Sequence, residues 1–310
     1  MTLRRNDRSL NGPPAMSLRL RIAFSSILVG LLVLGLKLVA YWWTGSVALY
    51  SDALESVVNV ASALAAFLAV WFAAKPADSN HPYGHHKVEY FAAVLVGVMI
   101  VLAALSIIRA AWLAYVDPQP VNFSVEGLAV NGLASVVNGV WAFVLIRVGR
   151  QHRSLALVAD GKHLVTDVVS SFGVLAGVLL VFATGVQALD SLLAGLVALN
   201  ILWSGWGLVK ESVGGLMDEA VSPALQDKIR EAISEAGAGA LEAHDLRTRS
   251  AGHVIFIDFH LVVPGEMTVE RAHEICDRVE EGIGRGVPGA RTTIHVEPEH
   301  KAKHTGIVVL

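Results

Sequence analysis

Asp52-Ala53-Leu54-Glu55-Ser56-Val57-Val58-Asn59 and Asp160-Gly161-Lys162-His163-Leu164-Val165-Thr166-Asp167 decide how this chain is read. Both follow one pattern, D-x-x-[E/H]-x-x-x-[N/D], and both lie inside long apolar runs. Offsets of three and seven put the three polar residues of each set on one helix face. Ionisable groups inside a membrane span are costly and default to a functional reading. Two helices that face each other with these stripes bring Glu55, Asn59, His163 and Asp167 to one depth. Two carboxylates, an amide oxygen and an imidazole suit a tetrahedral divalent cation, and the two negative charges neutralise it. Asp52 and Asp160 lie one turn outward, as supporting groups or as the lining of a water-filled pathway. Against this stands the reading of buried polar residues as glue between helices. That reading suits Asn131 and Asn138, but it does not explain two matching stripes.

The runs around these stripes belong to a set of six. Stretches near 21–43, 47–73, 88–115, 125–148, 155–183 and 187–209 are each long enough to cross a bilayer, which takes roughly 20 helical residues. Lys and Arg alternate between their connections. Arg4, Arg5, Arg8, Arg19 and Arg21 precede the first span, Lys75 and Lys87 follow the second, Arg147, Arg150 and Arg153 follow the fourth, and Lys210 follows the sixth. The connections after spans one, three and five carry none. The alternation places both termini in the cytoplasm. The first span is too long for a signal-peptide core and is read as a retained helix. Tyr41, Trp42, Trp43, Trp112 and Tyr115 near span ends fit an interfacial aromatic belt.

Composition agrees. Of 310 residues, 54% are hydrophobic and 16% charged, against about a quarter charged in soluble domains. That excludes an ordinary soluble domain. A formal charge of −3 implies no nucleic-acid partner. The single cysteine, Cys276, allows neither an internal disulfide nor a cysteine-rich zinc site, so any metal falls to His, Asp, Glu or Asn.

Two further clusters carry ligand chemistry. The connection after span two reads Pro76-Ala77-Asp78-Ser79-Asn80-His81-Pro82-Tyr83-Gly84-His85-His86-Lys87. Asp78, His81 and His85 can gather round one ion. His81 and His85 are four apart, as in zinc proteases, but no Glu follows His81, and Pro82 and Gly84 oppose a helix. Beyond residue 210 the chain becomes charged and rich in His and Glu. A helix is expected over about 222–236, strands over His244–Ser250 and Val254–Val263 joined by a turn at Ala251-Gly252, a helix over Thr268–Gly284 capped by Thr268, and a strand over Ala290–Val296. This is a small α+β layer that gains from dimerisation. His244, Asp245, His260, His273, His295 and Glu297 form a candidate metal set, with His253, His300 and His304 peripheral to it. The domains are then 1–20, a cytoplasmic N-terminal segment; 21–210, the six-helix membrane domain; 211–300, a cytoplasmic metal-binding dimerisation domain; and 301–310, a tail.

Taken together, and in this order, these residues resemble the cation diffusion facilitators, bacterial inner-membrane exporters of divalent metals. The resemblance covers nearly all of the chain beyond the first ~15 residues. It rests on Glu55-Ser56-Val57-Val58-Asn59, on Pro76–Lys87 followed by Glu89, on His163-x-x-x-Asp167, and on His244-Asp245-Leu246-Arg247-Thr248-Arg249. It implies a homodimer of six-span protomers, a ferredoxin-like αββαβ cytoplasmic domain that binds metal, and exchange of metal for protons. It places the transport site on Glu55, Asn59, His163 and Asp167. It also implies that Lys87 and Asp218 form a charged pair holding the dimer at the membrane–cytoplasm junction. Zinc members usually carry Asp or His and then Asp where this chain has Glu55 and Asn59. Manganese members usually have Asp where it has His163. The expected substrates and regulators are divalent ions, Zn2+ or Fe2+ first, then Co2+, Ni2+, Cd2+ and Mn2+. The expected activity is efflux by alternating access from an integral inner-membrane protein that is not an enzyme. A metal channel without proton coupling and a metal-binding membrane sensor are the rivals. A metallohydrolase would need an open metal position and a general base, and no such motif is present.

Overall fold

The computed structural model describes residues 17–44, 47–117, 125–186, 188–304 and 306–308. Six long helices come first: α1 (Leu18–Thr44), α2 (Val47–Ala73), α3 (Val88–Val116), α4 (Val125–Gln151), α5 (Leu155–Thr184) and α6 (Ala188–Leu216). Among the described residues, α1, α2, α3, α4 and α6 each hold a window long and apolar enough to cross a membrane. α5 is 30 residues long, and the polar stripe Asp160, Lys162, His163 and Asp167 lies in its first half. Its length of about 45 Å exceeds the hydrocarbon thickness of a bilayer.

The bundle is outward-apolar. Leu32, Trp42, Leu102, Trp112, Phe143, Leu196 and Trp203 are exposed, as lipid-facing side chains must be. Its inner seams are lined by small residues. Between α3 and α6, a Cβ on Gly97 would sit 2.8 Å from Val209, and one on Gly205 would sit 2.8 Å from Ile100. The two helices therefore approach closely because neither glycine has a side chain. Lipid tails solvate apolar surface well, so such van der Waals contact is what drives helix association there.

The cytoplasmic part runs α7 (Pro223–Ala236), β1 (Glu242–Ala251), β2 (Val254–Val263), α8 (Val269–Gly286), β3 (Ala290–Pro298), a 3-10 turn (Glu299–Lys301) and β4 (Ile307–Val308). The expected αββαβ order holds, and Thr268 caps α8 by accepting from the Arg271 N–H. The strand order is β3-β2-β1-β4, with β1 antiparallel to β2 and β4, and β2 parallel to β3. Alternation along β2 divides the sheet. Ile255, Ile257, Phe259, Leu261 and Val263 are buried with Ile229 and Ile233 of α7 and Ile275, Val279 and Ile283 of α8. The opposite face carries Asp258 and His260 between buried Val254, Phe256 and Val262.

Four details differ from expectation. β4 was not expected, because two residues carry no readable alternation; it forms where Ile307 and Val308 find the free edge of β1 at Ala243 and Glu242. β1 starts at Glu242 rather than His244. The β-hairpin turns at Gly252-His253, one residue later than Ala251-Gly252, and Gly252 takes the left-handed φ of +57° that the tight turn requires. α6 continues to Leu216, past the expected end of the bundle near 210.

Candidate metal sites

The membrane site is assembled by α2 and α5, which pack together in the bundle. Asn59 is 4% exposed, His163 3% and Asp167 9%. The Asn59 amide lies beside the Asp167 carboxyl. Asn59 Nδ2 and Oδ1 and Asp167 Oδ2 have no full hydrogen-bond partner among the described residues. Buried polar atoms are almost always satisfied, so donors and acceptors left open at one spot mark a place for a ligand. Glu55 and Asp52 stand on α2, but their side chains lie outside the described residues.

Asp160 is a structural knot one turn from the site. Its carboxylate accepts from Ser26 Oγ of α1 at 2.6 Å and from Ser62 Oγ of α2 at 3.0 Å. It ties the ligand-bearing α5 to both neighbours, from a position shut off from water. Lys37 was not anticipated. It is 5% exposed inside α1, and its positive charge acts on the Asp167 carboxylate. The sequence signal was available: an ionisable residue inside an apolar span.

The loop cluster comes together. His81 Nδ1 lies 3.2 Å from Asp78 Oδ1, His85 Nε2 lies 3.4 Å from Asp78 Oδ2, and one ligand atom from each residue falls within 4.8 Å of the others. The loop is shaped from within, because Asp78 Oδ1 accepts from the N–H groups of Asn80 and His81. The His81 N–H holds the Asp78 carboxyl below the ordinary carboxylate range. His85 is buried edge-on against Phe72. Tyr83 of the same loop stands edge-on to Phe256, and Arg249 lies over both rings.

On the face of the sheet away from α7 and α8, register does the assembling. His244 pairs with His260 across β1 and β2, and His260 pairs with His295 across β2 and β3. Glu297, two residues beyond His295 and so on the same face, serves all three histidines: 3.2 Å from His244 Nε2, 3.2 Å from His260 Nδ1 and 3.8 Å from His295 Nε2. Asp245 sits at a bulge with φ of +54°, which brings it beside His244 and His260. The Lys303 ammonium, 2.7 Å away, holds its carboxyl below the ordinary range. Glu242 joins this face unanticipated, 3.0 Å from His244 Nδ1. Its spacing of two from His244 was the readable signal. His273 does not join. It is on α8, which covers the other face, and it is exposed beside Asp277.

Lys87 and Asp218 meet within one chain, 2.8 Å apart, with Arg249 at 3.4 Å from the same carboxylate. The Lys87 hydrogen bond is the main cause that holds the Asp218 carboxyl below the ordinary carboxylate range. A carboxylate depressed in the folded state adds stability that is present above its unfolded pKa and lost as pH falls through the folded value. The pair therefore survives acidification to pH 5. Asp218 is half exposed, so Asp218→Asn is expected to cost under about 1 kcal/mol, and less at high salt, read as a small drop in Tm of the purified protein at pH 7.

This chain is similar to known proteins in both of its parts. Residues 23–217 match the family description "Cation efflux transmembrane domain", and residues 221–299 match "Cation efflux protein, cytoplasmic domain". An uncharacterized transporter of Synechocystis is 44% identical over 285 residues, covering 91% of this chain and 92% of the relative. The cation-efflux pump FieF of Cronobacter sakazakii is 32% identical over 281 residues, covering 90% and 92%. A solved chain of CzrB in its Zn form is 47% identical, covering 28% of this chain and 98% of that one, with a TM-score of 0.27. Helical bundle, cytoplasmic α+β domain and relatives together place this chain in the cation diffusion facilitator family of cation efflux transporters.

Proposed function

We propose that this member of the family exports Zn2+, Fe2+ or a similar divalent ion from the cytoplasm in exchange for protons, by alternating access. The observation that carries the reading is the buried group Asn59, His163 and Asp167 on two packed helices inside an apolar bundle, with open polar atoms on Asn59 and Asp167. Glu55 completes the set from α2. Such a set binds metal only when its carboxylates and imidazole are deprotonated, so protons and metal compete for the same atoms. Metal reaches the site from the cytoplasmic side. A cavity of about 560 Å³ lies there between the α4–α5 connection, the end of α6 and the β-hairpin, lined by Arg150, Arg153, Lys162, Glu211 and Glu219. Rocking of the bundle then opens the site outward, where protons displace the ion.

The cytoplasmic domain and the loop bind metal as regulators, and two protomers form a homodimer through the cytoplasmic domain. Lys87 and Asp218 brace the junction that the dimer depends on. Both termini face the cytoplasm of an inner-membrane protein, with lipids and protons as the other partners.

The test is stopped-flow flux of Zn2+, Fe2+, Co2+, Ni2+, Mn2+ and Cd2+ into proteoliposomes, with and without a proton gradient. Gradient-driven flux of one or more ions is expected. Flux that ignores the gradient points to a channel, and binding without flux points to a sensor. Asn59→Asp adds a third carboxylate and is expected to tighten metal binding about tenfold or more and to slow release, because anionic ligands raise affinity for a divalent cation. Unchanged affinity and ion preference would remove Asn59 from the site.

A further inference from the structure

Glu89 is a carboxylate that neither the transport site nor the metal clusters use. It stands in the first turn of α3 and is 1% exposed. A charge so deeply placed is costly unless donors surround it. Its donors come from the start of α5. Ser154 Oγ donates to Glu89 Oε2 at 2.5 Å, and the N–H groups of Leu155 and Ala156 point at the same carboxylate. These are first-turn N–H groups that a helix cannot satisfy itself, and a cap residue ordinarily takes them. Here a carboxylate from another helix takes them, so α3 holds the N-terminus of the helix that bears His163 and Asp167.

The cation on Glu89 is shared. Arg19 Nη1 of α1 lies 3.7 Å from Glu89 Oε1 and donates to His253 Nδ1 at 3.0 Å. His253 is the tip of the β1–β2 hairpin. It was expected to be peripheral, but it is packed against His86 at 4.8 Å between ring centres. Burial, with Arg19 beside it, pushes its pKa down to about 4, so Nδ1 keeps a lone pair for Arg19. The neighbouring Gly252 backbone meets the Tyr90 hydroxyl of α3.

We propose that Glu89 is a positioning residue for the transport site, and that Arg19, divided between Glu89 and His253, makes that positioning answer to the cytoplasmic domain. The lever is α5. His163 lies eight residues beyond Leu155, about 12 Å along the axis. A tilt of about 5° at the N-terminus then moves His163 by about 1 Å, while metal–nitrogen bonds are about 2.0–2.1 Å long and tolerate far less. His253 holds Arg19 within reach of Glu89, so a movement of the hairpin that withdraws His253 loosens Arg19 from Glu89, frees the first turn of α5 and changes the ligand geometry.

The experiment is a double-mutant cycle on the full-length protein in proteoliposomes, with Zn2+ as the probe. Glu89→Gln is expected to raise the zinc concentration for half-maximal rate about tenfold with a smaller change in maximal rate, as losing support behind a metal ligand does. His253→Ala is expected to raise it about threefold from the far side of the junction. The double variant is expected to match Glu89→Gln alone, and Glu89→Asp to recover part of the loss. Effects that multiply, to about 30-fold, overturn the proposal, because independent contacts add in free energy. If Glu89→Gln does not assemble, the Arg19→Met and His253→Ala pair completes the cycle with the same expectation. The flux arm rests on the efflux reading. Hydrogen exchange over residues 155–167 does not, and it decides the proposal even if the wild type passes no zinc. His253→Ala is expected to speed exchange in the first turns of α5, and unchanged exchange there overturns the proposal.

Discussion

Asp167→Asn is expected to reduce metal flux about 100-fold or more while the bundle still assembles. The substitution keeps size and shape, so packing around residue 167 is preserved, and Lys37 loses a charge partner rather than a neighbour. What changes is the metal's own balance. Two carboxylates offset a divalent cation; one leaves it with an uncompensated charge in a low-dielectric bundle, where each unit charge is costly. An amide oxygen still coordinates, but weakly, and Asn59 already supplies one. The measurement is zinc flux in proteoliposomes beside Tm and gel filtration of the same preparation. Flux within a few-fold of wild type in a folded sample would remove Asp167 from the site. Loss of flux together with loss of the folded peak would be settled by Asp167→Glu, which keeps the charge.

Glu297→Ala is the second large effect, at the cytoplasmic domain. Glu297 is the carboxylate common to His244, His260 and His295. Without it the histidine row keeps its spacing, because strand register sets that spacing, but it loses the shared anion and the acceptor that orients the rings. Zinc affinity of the cytoplasmic sites is expected to fall about 10–100-fold, as on loss of a ligand's orienting partner. The sheet itself is expected to stay folded, since its core lies on the other face with Phe259, Ile257 and Ile275. Calorimetric zinc titration of the full-length protein reads the change. His273→Ala is the control: it lies away from the row, and a loss equal to that of Glu297→Ala would overturn the placement of the site on the strand face.

The bundle was legible because a membrane imposes one requirement on every residue of a span. Apolar runs of bilayer length have no other common explanation, and six long helices emerged within a few residues of the expected starts, five of them apolar enough to cross a membrane. The α7-β1-β2-α8-β3 order was legible for a related reason: helix and strand periods differ, and Pro223, Gly252 and Thr268 punctuate them. Illegible features depended on partners distant in sequence. Glu89 reads as an ordinary first-turn acid until α5 is placed against it 65 residues later. His253 reads as a turn residue until Arg19 of α1, 234 residues away, is found on its Nδ1. β4 is two residues that acquire meaning only from the edge of β1.

The sequence by itself determined the membrane class, the division into bundle and cytoplasmic domain, and the residue types open to a metal. With one cysteine, Cys276, now seen buried in the α+β core, metal chemistry had to fall to His, carboxylate and amide groups. Those conclusions follow from composition and period, which are local. Only the tertiary structure decided which groups share a site. It set Asn59 beside Asp167, aligned His244, His260 and His295 on one sheet face, left His273 on the far layer, and passed the Glu89 carboxylate to a helix other than its own. The reason is that coordination and hydrogen bonding act over about 2–3 Å. Spacing along a chain specifies a face of a helix or strand, but contact at that range depends on how the faces pack.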